Sequence, residues 1–134
     1  MTTKREPIII KGRNIGIAVL TVAQLLIGVT HILFGLWLLS SESSLHATVA
    51  YDIYTVTFGA LVLIFAIFIW NSKYLGFIGT IAVSIFVSVA DALTLANLPS
   101  IPGIPTFAAP TEIGYSIIVI AYLVQANVRK KFHV

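Results

Sequence analysis

From Asn14 to Leu39 the chain carries no formal charge apart from any proton on His31, and that one run decides what the rest can be. About 20 apolar residues suffice to cross the hydrocarbon core of a bilayer, and extra length is absorbed by tilt. A cleaved signal peptide would have an apolar region of only about 7–15 residues. The run is therefore read as a membrane span. Composition agrees, since 58% of the residues are hydrophobic, 10% are charged and the mean hydropathy is +1.01, far from soluble domains.

Three more apolar runs follow. The linker Ser40 to Ala47 is polar, and the second run extends from Thr48 to Trp70 with Asp52 near its start. Asn71, Ser72 and Lys73 make a tight turn into a third run ending at Leu98. Next, Pro99, Pro102, Pro105 and Pro110 forbid a continuous helix and favour extended, polyproline-like backbone. Thr111 is placed to cap a fourth helix, with Glu112 favourable in its first turn. The expectation is one all-α domain over residues 1–134, with helices near 14–40, 48–71, 74–98 and 111–128 and a proline-rich loop at 99–110.

The sides of the membrane follow from charge, because cytoplasmic segments are enriched in Lys and Arg. Lys4, Arg5, Lys11 and Arg13 precede the first run, Lys73 lies in the second connection, and Arg129, Lys130 and Lys131 close the chain. These are all eight basic residues, and four crossings put every one on the same side. Three or five helices would strand a cluster. The predicted architecture is thus an up-down bundle of four transmembrane helices in the cell membrane, with both termini cytoplasmic. Trp70 and Tyr74 fit an inner aromatic belt, and Tyr51, Tyr54 and Tyr115 an outer one.

Several chemistries are excluded by inventory. The chain has no cysteine, hence no disulfide, thiolate metal site or iron–sulfur cluster. It has no phosphate-binding loop and no G-x-S-x-G turn, so neither nucleotide-driven chemistry nor a serine-hydrolase elbow is expected. The net charge of +3 reflects topology and not a basic patch, which argues against nucleic acid as a partner. Clamping a haem would require two transmembrane histidines at matched depth, whereas only His31 is available, so no cofactor is expected.

Polar residues inside the runs are the remaining signal. Gly76, Thr80, Ser84, Ser88 and Asp91 share one face of the third helix, a stripe of small residues ending in an acid. Gly28, His31 and Gly35 share a face of the first helix, and glycines allow close helix approach. At about 1.5 Å of rise per residue, Asp91 lies roughly 10 Å and His31 roughly 13 Å beneath the outer boundary. Asp52 starts the second helix, and Glu112 and Tyr115 start the fourth, also on the outer side. Two readings are open. Either Asp91, His31, Asp52, Glu112 and Tyr115 line an outward-facing cavity for a proton, a cation or a small ligand, or Asp91 and His31 are hydrogen-bonding contacts between helices while Asp52 and Glu112 are boundary residues that meet water and headgroups. Gly28, Gly35, Gly76, Thr80, Ser84 and Ser88 are read as helix-packing positions. His31, Asp91 and Glu112 are weak candidates for a metal, since no helix carries a paired ligand motif.

The turn Trp70-Asn71-Ser72-Lys73-Tyr74-Leu75-Gly76 and the ending Tyr122-Leu123-Val124 with Val128-Arg129-Lys130-Lys131-Phe132 resemble small prokaryotic four-helix integral membrane proteins of unassigned function. That resemblance implies no activity. The size is also similar to that of the small multidrug transporters, but their first helix bears a glutamate where this chain offers Gln24 and His31. The functional expectation is a non-enzymatic accessory or structural subunit of a membrane complex, or a homo-oligomer, with other membrane subunits or itself as partners. The alternative is a small proton-linked transporter or ligand-binding protein using the outer acidic and histidine cluster.

Overall fold

The computed structural model describes residues 14–40 and 48–134. The basic N-terminal arm and the first linker, with Glu42 and His46, lie outside the described residues. Helix α1 spans Ile15–Ser40, α2 Val49–Trp70, α3 Tyr74–Leu95 and α4 Ala109–Leu123, followed by a single turn α5, Ala126–Arg129, and a 3-10 turn at Lys130–Phe132. Each long helix packs on the one before it in sequence. The described chain is all-α.

The solvent for this fold is legible in what it exposes. Leu26 and Ile118 are 66% and 69% exposed, while Gln24 and Asp91 are 3% and 0% exposed. Thr21, Asp52, Thr55, Thr80, Ser84 and Ser116 are buried too. Apolar groups face out and polar groups face in, the arrangement expected when the surroundings are lipid and cannot satisfy a hydrogen bond. Helices α1, α2 and α3 are each long and apolar enough to cross a membrane. The α4 segment counts as a fourth span only together with the C-terminal hook, from which it is bent by 70°.

Helix ends depart from the sequence expectation in identifiable ways. The third helix stops at Leu95, before Leu98, because Asn97 adopts φ 55° and Leu98 N–H donates back to Leu93 C=O at 2.9 Å, closing a left-handed C-cap. Ser72 does the same after α2 with φ 53°, and Lys73 N–H donates to Phe68 C=O at 2.8 Å. Helix α4 begins at Ala109, so Ala108 and not Thr111 is the cap residue. Pro110 then sits in the first turn, where its missing N–H has no intrahelical partner to lose. The expected run of this helix to residue 128 is also corrected. It ends at Leu123, and Gln125 is extended, with ψ 136°.

The break at Gln125 has a packing consequence. It turns the chain so that Val128 and Phe132, both fully buried, reach the core, with the Phe132 ring 5.5 Å from that of Phe77. Ile17, Leu20, Ile69, Val119 and Leu123 complete this cluster. The start of α1, the α2–α3 turn and the C-terminal hook therefore share one end of the bundle. At the other end, the proline-rich loop is a series of turns, not the extended backbone expected, with Gly103 at φ 99°. It is pinned to two helices. Thr48 Oγ1 donates to Pro102 C=O at 2.6 Å, and Ser100 Oγ donates to Ala90 C=O at 2.8 Å.

Candidate functional site: a cavity between the helices

A cavity of about 480 Å³ lies among all four long helices, within the range of small-ligand pockets. Its walls are mostly apolar, with Ile27, Phe58, Val62, Phe65 and Val87 prominent, and Phe107 and Ala108 of the loop contribute to its lining. The polar groups on it are few: Gln24 and His31 from α1, Thr80 and Ser84 from α3, and Thr111, Glu112, Tyr115 and Ser116 from α4.

His31 and Glu112 form the charged corner. The His31 ring donates from Nδ1 to the Ile27 carbonyl at 2.8 Å, which directs Nε2 at Glu112 Oε1, 3.9 Å away. A carbonyl only accepts, so the Nδ1 proton is committed, and a second ring proton on Nε2 makes the contact with Glu112 an ion pair. The Phe58 ring packs edge-on to the imidazole at 4.8 Å and limits its rotation. Tyr115 stands one turn along α4 from Glu112, its hydroxyl buried without a hydrogen-bond partner.

At the inner end, Gln24 Nε2 donates to Thr80 Oγ1 at 3.2 Å, bridging α1 and α3. The other arm of the carboxamide, Oε1, is buried and has no donor. Gln24 was not among the sequence candidates. The signal was present nonetheless, for Gln24, Gly28, His31 and Gly35 follow one another at intervals of four, three and four, a single stripe of the helix.

The remaining candidates are distributed around the cavity and not on it. Asp91 is fully buried and faces Glu112 across the α3–α4 seam. It does not line the cavity, and its neighbour is Glu112, not His31 as the matched depths suggested. Asp52 is fully buried at the start of α2, outside the cavity wall, and its carbonyl faces Gly35. Among the packing positions, Gly28 and Gly35 face α2, and Gly76 fits against the backbone of Phe68 and Ile69. Ser88 is half-buried and does not line the cavity, its hydroxyl oxygen buried and unpartnered, whereas Thr80 and Ser84 line it. Among the described residues, no three His, Asp or Glu side chains converge to hold a metal ion.

No family model, curated protein or solved structure matches this chain. Of the resemblance drawn from the α2–α3 turn and the C-terminus, what stands is the broad class, a small helical protein with apolar helices long enough to span a membrane.

Proposed function

We propose that this is a four-span protein of the cell membrane, both termini cytoplasmic, that binds a small ligand in its central cavity on the way to transport or sensing. The carrying observation is the cavity itself. A void of about 480 Å³ lined by Gln24, His31, Glu112 and Tyr115 among mostly apolar walls places polar and ionisable groups on a ligand-sized space within the bundle. The location of Lys73, Arg129, Lys130 and Lys131 at one end of the bundle supports a cytoplasmic assignment for that end, with the bent α4 segment and its hook taken together as the fourth span.

The test is to fill the cavity. Ser84 is small and on its wall, so Ser84→Phe should leave a folded protein with the space occupied. In nanodiscs, a panel of small amphipathic compounds should raise the melting temperature of the unchanged protein and not that of Ser84→Phe. Identical responses from the two proteins would refute the reading.

A second reading, a subunit of a larger assembly or of a homo-oligomer, draws on another feature. A groove of about 820 Å³ runs along the outside of α2 and α3, lined by Ile53, Tyr54, Leu61, Phe86 and Ile101. Native mass spectrometry from mild detergent separates a monomer from an assembly, and a monomer without a co-purifying partner would count against it.

A further inference from the structure

The polar groups of the cavity are not scattered, and their order along the bundle describes a ligand. Among the described residues, Glu112 is the one acid that lines the cavity, and no Lys or Arg does. A cation is therefore favoured at the outer corner and an anion is not. Phe58 and Tyr115 also line the cavity, and an aromatic ring attracts a cation placed over its face. Between the outer corner and the inner end the wall is mostly hydrocarbon, with Ile27, Val62, Phe65 and Val87, and the small residues Ser84 and Ser116. At the inner end the Gln24 carboxamide, 3% exposed, has one arm committed to Thr80 and the other without a partner. A hydroxyl both donates and accepts, so it satisfies that arm whichever way the carboxamide is turned. Gln24 and His31 are separated by two turns of α1, about 10 Å of axial rise.

Resting on the ligand-binding reading above, we infer that the cavity takes an elongated amphipathic ammonium, with its charge at Glu112, an apolar or aromatic body in the middle, and a hydroxyl at the far end on Gln24. The ammonium pairs with Glu112 beside a neutral His31, whose ring stays on the Ile27 carbonyl and Phe58 with Nε2 3.9 Å from the carboxylate. The body lies along the apolar wall between the two polar ends. The hydroxyl supplies the donor that Gln24 Oε1 lacks.

Three probes of nearly one shape separate these elements: tyramine, with both polar ends; phenethylamine, with the ammonium alone; and 4-ethylphenol, with the hydroxyl alone. Affinities are measured by calorimetry on the full chain in nanodiscs. Tyramine should bind about tenfold more tightly than phenethylamine, the usual effect of leaving one buried polar group unmatched. It should bind about thirtyfold more tightly than 4-ethylphenol, the effect of leaving a buried charge unpaired. Gln24→Leu should abolish the first ratio and Glu112→Gln the second. Both ratios are read on the unchanged protein, so a variant that fails to fold does not decide the outcome. Equal binding of tyramine and phenethylamine overturns the role given to Gln24, and equal binding of tyramine and 4-ethylphenol overturns the ammonium. If either happens while Ser84→Phe still blocks the probes, the cavity reading stands and this inference alone fails. If all three bind Ser84→Phe as well as the unchanged protein, or none binds either, both fail.

Discussion

Gly28 and Gly59 meet backbone to backbone across the α1–α2 interface. A Cβ on Gly28 would stand 2.9 Å from the Gly59 carbonyl oxygen, and one on Gly59 would stand 2.7 Å from the Gly28 carbonyl oxygen. In lipid, where burial of apolar surface does not drive helices together, such close approach is a main source of attraction. Gly59→Ala should therefore destabilise the bundle by about 1–3 kcal/mol, as overpacking generally does. Gly114 is the control, since a Cβ there meets nothing within 4 Å, and Gly114→Ala should cost nothing or stabilise slightly. Unfolding in mixed micelles measures both, and equal effects would dismiss the seam.

Asp91 and Glu112 face each other, yet only Glu112 reaches the cavity. Asp91→Asn should consequently leave tyramine affinity within about twofold, while Glu112→Gln lowers it by an order of magnitude or more. If Asp91→Asn proves as damaging to binding as Glu112→Gln, the ligand reaches deeper into the α3–α4 seam than the cavity wall implies.

Two helix ends depend on residues held in the left-handed region, Ser72 at φ 53° and Asn97 at φ 55°. Glycine adopts that conformation without a steric penalty and β-branched residues resist it. Asn97→Gly should be neutral or slightly stabilising, and Asn97→Val should cost about 1–2 kcal/mol. Thermal unfolding in one detergent resolves the pair, and a harmless valine would mean that the C-cap does not limit stability.

The absence of cysteine makes the topology directly testable. Single cysteines at Lys73, Ser100 and Lys131 place a thiol in the α2–α3 turn, in the proline-rich loop and in the C-terminal hook. An impermeant maleimide added to intact cells should label Ser100→Cys alone, and inverted vesicles should label the other two. Labelling of Lys131→Cys from outside would place the C-terminus on that side and reduce the spans to three.

Much of the architecture was written locally. Runs without charge, a Lys73 turn and a proline cluster demand helices and connections wherever they occur, because backbone in lipid must satisfy itself. The positions of α1, α2 and α3 followed within a few residues, and so did the inward direction of Asp91 and of the glycine face at Gly28 and Gly35. What no local signal carried was which polar groups meet. Depth along separate helices put His31 level with Asp91, but helix rotation and order decide contacts, and they turned both His31 and Asp91 to Glu112. The end of α4 was equally illegible. Residues 124–127 contain no proline or glycine, and the break at Gln125 has no local helix-breaking residue to announce it. It accompanies the packing of Phe132 against Phe77, a contact between residues far apart in the chain. The cavity belongs to the same category. It is the space left when Gln24, His31, Thr80, Ser84, Glu112 and Tyr115 converge from three helices, and the volume between helices is a property of their packing alone.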